Sequence, residues 1–174
     1  MRNLKVAVTG ASGYLGRMVI ARLESEPAVQ SILGLDVRPP AYTGKKLEFR
    51  AADVRTADFV RDFQGLDAVY HLAFVVAERH DKNETRQVNI AGTRNVFEAA
   101  ITAGVSKVIY SSSTTAYGAH PDNPLGFDES QPLRPNTDSY YSSDKVAVEQ
   151  FAVEFFRAHP GVQFTVLRAA LAAP

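Results

Sequence analysis

Short runs of apolar, largely β-branched residues alternate along the chain with longer segments in which apolar positions recur every three or four residues. The short runs predict β-strands, and the longer segments predict amphipathic helices. Most of the short runs lack polar alternation, which is typical of strands covered on both faces. The pattern therefore predicts an α/β fold in which a doubly wound parallel sheet lies between two layers of helices.

Six strands and four helices follow from this pattern. The strands are predicted at residues 5–9, 31–36, 46–50, 68–72, 107–112 and 163–168, and the helices at residues 14–24, 56–63, 85–103 and 140–159. Gly104 and Gly161 stand where C-terminal helix stops are expected. An irregular stretch at 118–137 leaves the carboxyl edge of the sheet, where ligands bind, so we interpret it as a substrate-facing loop. The alternative is a disordered surface loop.

Composition narrows the class of protein. The 174 residues, 45% of them hydrophobic, predict one domain over 1–174. The 19 basic and 19 acidic residues balance, so nucleic acid and anionic membrane surfaces are not expected partners. The absence of cysteine excludes disulfides, thiolate metal sites and cysteine nucleophiles. With neither a signal-peptide pattern nor an apolar run long enough for a bilayer, we expect a cytoplasmic protein.

A glycine-rich segment, TGASGYLG at 9–16, follows the first predicted strand and opens the first predicted helix. Gly10 would permit a tight turn, Gly13 a close approach to a pyrophosphate, and Gly16 close packing of helix on strand. Free N–H groups at the start of the helix would receive the negative charge. The same cofactor-binding segment includes Ser12, Tyr14 and Leu15. An ordinary tight turn is the alternative.

Asp36 ends the second predicted strand, 20 positions after Gly16. Its side chain could accept hydrogen bonds from the adenosine ribose, and its charge would repel the 2′-phosphate of NADP. We therefore expect NAD as the cofactor, although Arg38 softens the preference. Taken alone, Asp36 is equally well explained as a turn residue before Pro39 and Pro40, and its link to the glycine segment favours the cofactor role.

Five further motifs follow the glycine segment in order. They are Asp53-Val54, His71-Leu72-Ala73, VNIAGTRNV at 88–96, SSSTTAYG at 111–118 and YSSDK at 141–145. With them the chain resembles the extended short-chain dehydrogenases/reductases, which include NAD-dependent sugar-nucleotide epimerases and dehydratases. The resemblance covers essentially the whole chain and implies a Rossmann fold, NAD as cofactor and a small-molecule substrate.

The resemblance also implies roles for residues in these motifs. Asp53 and Val54 would contact the adenine, Leu72 and Ala73 would line the nicotinamide side, and Asn89 would lie near the active site. Each has a plainer alternative: a turn former for Asp53, sheet core for Leu72 and Ala73, and a polar residue on the helix surface for Asn89.

Tyr141 and Lys145 are one helical turn apart and face the same way. An ammonium beside a phenol favours the phenolate, so Tyr141 could take a proton from a substrate hydroxyl while hydride leaves the same carbon for the cofactor. Tyr140 has no lysine four positions on. By the resemblance, Ser113 would hold the substrate oxygen, and Lys145 with Tyr141 would also contact the cofactor. Polar packing at the strand end is the alternative for the serines. The four histidines have no ligand spacing, so no metal is expected.

Two features depart from the resemblance. Family members usually continue well beyond the sixth strand and build the substrate pocket there, whereas this chain ends at Pro174. Leu171 stands where many sugar-nucleotide enzymes carry an asparagine. We therefore expect the C-terminal substrate domain to be absent, in a shortened gene product or a piece of a longer protein. The candidates are an NAD-dependent oxidoreductase, epimerase or dehydratase acting on a hydroxyl or keto group of a sugar nucleotide, sterol-like or other small alcohol, and a dinucleotide-binding module without turnover.

The two longest predicted helices carry apolar residues around much of their circumference, more than one stripe facing a sheet requires. The resemblance implies that these helices pair across a twofold axis, so we expect a homodimer. The alternative is that a neighbouring helix of the same chain, or a C-terminal segment, covers the extra apolar surface.

Overall fold

The computed structural model describes residues 3–76 and 81–170. Its sheet consists of β1 (Leu4–Thr9), β2 (Val29–Asp36), β3 (Leu47–Ala51), β4 (Ala68–His71), β5 (Lys107–Ser113) and β6 (Gln163–Ala169). The strands are parallel and lie in the order β3-β2-β1-β4-β5-β6. The chain reverses its direction of winding between β1 and β4, which opens a crevice at their carboxyl ends. The predicted Rossmann fold is confirmed.

Five α-helices flank the sheet: α1 (Tyr14–Glu24), α2 (Phe59–Phe63), α3 (Lys82–Arg86), α4 (Gly92–Thr102) and α5 (Tyr140–Arg157). A π-helical turn, Gln87–Ala91, joins α3 to α4, and a 3-10 turn, Thr114–Tyr117, follows β5. Helix α2 begins later than predicted because the Asp58 side chain accepts a hydrogen bond from the Val60 N–H and caps it.

Two hydrophobic cores, one on each face of the sheet, confirm the three-layer arrangement. Helix α1 packs Ile20 and Leu23 against β1 and β2 on one face. On the other face α2, α4 and α5 share a larger core around Phe97. The rings of His71, Tyr110, Phe156 and Phe164 all lie against Phe97, with centroids 5.2 to 5.9 Å away.

The glycines predicted as helix stops behave differently. Gly104 has a φ of 76° directly after the C-cap of α4, as expected for a left-handed stop. Gly161 is not the stop of α5, and that prediction was wrong. The helix already ends at Arg157, and its capping residue, Ala158, donates its backbone N–H to the Glu154 carbonyl.

The 118–137 segment is irregular, as predicted, and side chains tie it together. The Arg134 guanidinium donates to Asp122 at 2.9 Å, and the Asn123 amide donates to the Gly118 carbonyl at 2.7 Å. Phe127 packs on Tyr117 with ring centroids 4.8 Å apart. The segment thereby forms one wall of a groove of about 830 Å³ whose other wall is β6. Leu171, singled out in the sequence, lies outside the described residues.

Candidate active site

The glycine segment forms a tight turn between β1 and α1. Gly10 has a φ of 72°, and a Cβ there would lie 2.7 Å from the Ala73 nitrogen. A Cβ on Gly16 would collide with the Gly10 carbonyl oxygen, and one on Gly13 would lie 3.3 Å from the same atom. Gly10 and Gly16 therefore cannot carry a side chain without a shift of the backbone, and a side chain at Gly13 would be tight, so the backbone of the turn is open to the crevice.

A cleft of about 450 Å³ lies beyond this turn, at the carboxyl ends of β1, β2 and β4. Most of the residues predicted to bind the cofactor line it, namely Gly10, Ser12, Gly13, Asp36, Asp53, Val54, Leu72 and Ala73. The structure thus gathers residues from four separate motifs around one cavity. Tyr14, Leu15 and Gly16 lie in the first turn of α1, outside the cleft lining.

Asp36 lies at the rim of the cleft and is held by backbone groups. Its carboxylate accepts hydrogen bonds from the Ser12 N–H at 3.1 Å and the Arg38 N–H at 3.3 Å. The first bond joins Asp36 to the glycine turn, and the second is a local turn contact. The ribose-binding role of Asp36 stays a prediction.

Arg55 is a cleft residue that the sequence reasoning missed. Its guanidinium donates to both oxygens of Asp53, at 3.0 and 2.6 Å, and lies 3.4 Å from Glu84. These side-chain hydrogen bonds from Arg55 lower the pKa of Asp53. The adjacent Val54 is buried. Asp53 is therefore a charged, oriented carboxylate on the cleft wall, fixed by a cation two residues away.

His71 is fully buried and connects β1 to α4. The Thr93 hydroxyl donates to the Asn89 carbonyl at 2.6 Å, so it accepts from His71 Nε2 at 2.8 Å. The Thr9 hydroxyl accepts from the Leu72 N–H at 3.3 Å and the Ala73 N–H at 3.4 Å, which occupy both of its lone pairs, so it donates to His71 Nδ1 at 2.7 Å. Burial lowers the pKa of His71 to about 3, with a smaller contribution from Lys145. The ring is neutral and carries its proton on Nε2.

Asn89 lies in the π-helical turn and is fully buried, so its interpretation as a surface residue was wrong. Its side chain accepts from the Val75 N–H at 2.8 Å and donates to the Val75 carbonyl at 3.2 Å. The amide also donates to Asp144 on α5 at 3.1 Å. Asn89 thus ties the segment after β4 to the helix that carries Tyr141 and Lys145.

Lys145 is 2% exposed, and its Nζ donates to the Ser111 carbonyl at 2.7 Å. Burial lowers the pKa of Lys145 to about 7, although the carboxylates of Glu149 and Asp144 oppose this shift. Tyr141 lies on the same side of α5, with its ring centroid 5.5 Å from the Lys145 Nζ. The common face predicted from their spacing is confirmed.

The hydroxyl of Tyr140 contacts a different helix, α3. It accepts a hydrogen bond from the Lys82 ammonium at 2.8 Å, which joins the start of α5 to α3. Tyr140 and Tyr141 are adjacent in sequence, yet only Tyr141 faces Lys145 and the aromatic side chain of Phe74.

The three serines at the end of β5 have separate partners. Ser111 offers its carbonyl to Lys145, and the buried Ser112 donates its hydroxyl to Glu149. Ser113 caps the 3-10 turn, since its hydroxyl oxygen accepts from the Thr115 N–H at 3.2 Å. Ser112 therefore belongs to the packing between β5 and α5, whereas Ser113 is buried at the end of the strand, where the 3-10 turn begins.

Two buried carboxylates beside the Tyr141–Lys145 face of α5 were missed in the sequence. Glu149, one turn after Lys145, accepts from the Arg168 guanidinium at 2.7 Å, and Arg168 also donates to the Tyr117 hydroxyl at 2.6 Å. Asp144 is fully buried and lies 3.6 Å from Arg86. The spacing of four between Lys145 and Glu149 was visible in the sequence, but the partner Arg168 on β6 was not.

Within residues 3–76 and 81–170, no group of three His, Cys, Asp or Glu side chains is arranged to hold a metal ion. Over the same ranges, no helix has the length and apolar character needed to cross a membrane.

Residues 6–172 match the family model of the NAD dependent epimerase/dehydratase family. Sterol demethylase protein B of Methylococcus capsulatus is 32% identical over 170 residues, which are 94% of this chain and 50% of that protein. Uronate dehydrogenase from Agrobacterium tumefaciens superposes with a TM-score of 0.78 at 30% identity, over 94% of this chain and 59% of the other. MoeE5 in complex with UDP-glucose and NAD superposes with a TM-score of 0.78 at 28% sequence identity, over 93% of this chain and 52% of the other. The chain spans about half the length of these relatives.

Proposed function

This chain belongs to the NAD-dependent epimerase/dehydratase family, and from that premise we propose that it binds NAD and acts on a hydroxyl or keto group of a small molecule. The observation that carries the proposal is the placement of Tyr141 and Lys145. The ring of Phe74, a residue of the glycine-turn cleft, packs against both of them. A proton-transfer group therefore adjoins a cavity shaped for a dinucleotide.

The residues that line the cleft fit the parts of an NAD molecule. The N–H groups of Ala11, Ser12 and Gly13 are bonded within the chain, so a pyrophosphate would be received by the N–H groups at the start of α1. Asp36 would accept from the adenosine ribose. Asp53 and Val54 would border the adenine, while Leu72 and Ala73 would border the nicotinamide side. Asn89 would hold the segment after Ala73 in place through its bonds to Val75. When bound, NAD supplies a carbon that accepts and returns a hydride.

Tyr141 is the proposed general base and acid. Its hydroxyl would take a proton from the substrate oxygen and return it in the reverse direction. The Lys145 ammonium lies beside the Tyr141 ring and would also hold the nicotinamide ribose. The Ser113 hydroxyl, at the end of β5, would hold the substrate oxygen as its charge changes.

We propose a sugar nucleotide, a uronate, a sterol-like molecule or another small alcohol as the substrate. The names of the relatives support this range, because they include a uronate dehydrogenase, a complex with UDP-glucose and a sterol demethylase protein. The groove between β6 and the 118–137 segment lies beside the Ser113 turn and would face such a substrate.

We also propose that two copies pair through α4 and α5, in the cytoplasm. Val153 on α5 is 50% exposed, and Phe151 and Phe155 on the same helix are only partly buried. A chain without cysteine is compatible with a reducing compartment.

The function is tested by titrating the chain with NAD in a calorimeter and then adding candidate uronates, UDP-sugars and sterols while NADH absorbance is followed. Binding with NADH formation supports the oxidoreductase function. For an epimerase, product sugars are separated by chromatography, because the hydride returns to the substrate. Binding with neither result would support a dinucleotide-binding module instead, and no binding would contradict the proposal.

Replacing Tyr141 with phenylalanine should abolish turnover by any active form and leave the NAD dissociation constant nearly unchanged, because only the transferable proton is lost. Tyr140→Phe is the matched control, since it removes a hydroxyl that contacts Lys82. Loss of turnover in Tyr140→Phe with retained turnover in Tyr141→Phe would show that the catalytic register is wrong.

A further inference from the structure

Three aromatic rings surround the Lys145 ammonium. The Nζ lies 3.5 Å from the centroid of Phe74, 4.8 Å from that of Tyr110 and 5.5 Å from that of Tyr141. Phe74 also meets Tyr141 edge to face at a centroid distance of 5.7 Å. We call Phe74, Tyr110 and Tyr141 the aromatic cage. Phe74 is the member shared by the lysine, the tyrosine and the NAD cleft.

Hydrogen bonds on both sides hold Phe74 in this place. Before it, the Ala73 N–H donates to the Thr9 hydroxyl at 3.4 Å. After it, both backbone groups of Val75 are bound by the Asn89 side chain. The backbone from β4 to Val75 is therefore fixed at two points, with Phe74 between them.

The cage matters because Lys145 has little other compensation for its charge. Among the described residues, its one hydrogen bond goes to the Ser111 carbonyl, and no carboxylate lies within ion-pair distance of its Nζ. Burial accordingly lowers the pKa of Lys145 to about 7. The titratable and charged groups facing it are Glu149, Asp144 and Tyr141 from α5, Tyr110 from β5 and His71 from β4.

These neighbours divide into two groups. The carboxylates of Glu149 and Asp144 favour the ammonium from a distance, while His71 is neutral and contributes no charge. Burial raises the pKa of Tyr110 well above its ordinary value, so its ring is an uncharged phenol. The faces of Phe74 and Tyr110 thus offer Lys145 the negative side of the aromatic quadrupole in a site from which water is excluded.

We propose that Phe74 is a positioning residue, whose ring keeps the Lys145 ammonium charged and directed toward β5 while bracing the ring of Tyr141. The importance of this role for turnover rests on the proposed function of the Tyr141–Lys145 pair. The contact between Phe74 and Lys145 does not depend on the proposed function, and its effect on Lys145 can be measured without substrate or cofactor.

The test is an NMR titration of the chain carrying ¹³C-labelled lysine, with the Lys145 signal identified by its loss in Lys145→Met. Phe74→Leu keeps an apolar side chain but removes the ring, so the pKa of Lys145 should fall by about one pH unit. Phe74→Tyr retains the ring and should leave this pKa near the parent value. An unchanged or raised pKa in Phe74→Leu would overturn the proposal.

Phe151→Leu is the matched control, because that ring takes part in a different cation–aromatic contact, with the Arg94 guanidinium 4.1 Å from its centroid. It should not move the Lys145 signal, and a shift equal to that of Phe74→Leu would also overturn the proposal. Thermal unfolding verifies that each variant is folded, and Phe74→Ile replaces Phe74→Leu if the latter is not. Calorimetry with NAD on the parent chain reports separately on the proposed function.

Discussion

At the scale of single residues, His71 shows how hydroxyl groups can fix a protonation state. Both ring nitrogens are occupied, and the direction of each bond is set by a further partner of Thr9 or Thr93. A second ring proton would have to face the Thr9 hydroxyl, which already receives backbone N–H groups. The histidine therefore acts as a neutral link between β1 and α4.

This link predicts acid sensitivity. The folded pKa of His71, about 3, lies below the unfolded value of 6.5, so the unfolded chain takes up a proton first as the pH falls. Stability from this group is present above pH 6.5 and is lost toward pH 3. The free energy of unfolding should drop by about 2 kcal/mol between about pH 7.5 and about pH 5 through His71 alone.

Denaturant unfolding at both pH values checks this prediction. His71→Gln should be less stable throughout, because it loses ring contacts, but its stability should depend less on pH over this range. An equal drop in the parent and in His71→Gln would show that other groups cause the acid sensitivity.

Asp36 is the residue that we expect to favour NAD over NADP. Its carboxylate lies beside the glycine turn, where the 2′-phosphate of NADP would meet its charge. Asp36→Asn keeps an oxygen that can accept from a backbone N–H and removes the charge, so NADP binding should improve by roughly tenfold, ~1.4 kcal/mol. Calorimetry with both dinucleotides measures the change, and better NADP than NAD binding by the parent chain would contradict the preference.

Residues whose roles depend on local sequence could be predicted, and those that depend on distant partners could not. The glycine turn is defined within one strand-turn-helix segment, and the family resemblance drawn from the motifs is confirmed by the match over residues 6–172. His71, in contrast, meets Thr9 across 62 positions. Phe74 reaches Lys145 only through the packing of β4 beside β5. No spacing rule joins such pairs.

At the scale of elements, the main difference from prediction is the helix around Asn89. The period of its apolar residues predicted a regular helix over 85–103. In the structure the helical segment begins at Lys82 and contains the π-helical turn Gln87–Ala91. Asn89 lies inside that turn with its amide bound to Val75 and Asp144. The hydrogen bonds between the Asn89 side chain and other elements are tertiary contacts, which a local sequence pattern does not show. Turns of π-helix are frequent at functional sites.

Gly92, where the π-helical turn passes into α4, predicts a long-range effect on the cleft. A Cβ there would lie 2.5 Å from a Val54 methyl carbon, and the β-branched Val54 has little freedom to move aside. Gly92→Ala should therefore weaken NAD binding several-fold and lower the melting temperature. Gly161→Ala is the control, since a Cβ at Gly161 meets nothing within 4 Å. Equal effects of the two changes on NAD affinity would contradict this coupling.

At the scale of the whole molecule, the outward side of α5 carries aromatic side chains in contact with one another. Phe155 lies with ring centroids 5.2 Å from Phe151 and 4.7 Å from His159. Residues further round α5, such as Ala152 and Phe156, belong to the core. The broad apolar pattern of this helix therefore corresponds to two faces: one packs against the sheet, and the other is only partly buried.

If two copies pair through α4 and α5, a charged side chain placed on the outward side of α5 should separate them. Phe155→Glu should convert a dimer mass to a monomer mass in light scattering across a concentration series and should preserve NAD binding. Met18→Glu is the control, because Met18 is 52% exposed on α1, on the opposite layer. A monomer mass for the parent chain at high micromolar concentration would rule out the pairing.

The close approach of Gly10 to Ala73 has a consequence for the order of events during synthesis. The glycine turn leaves the ribosome before β4, yet its other wall is made by residues that follow β4. The same segment is held at Val75 by the Asn89 side chain. A nascent chain that has emerged only through β3 therefore lacks the residues that pack against Gly10. We expect the turn to be fixed in place only after translation has passed the π-helical turn.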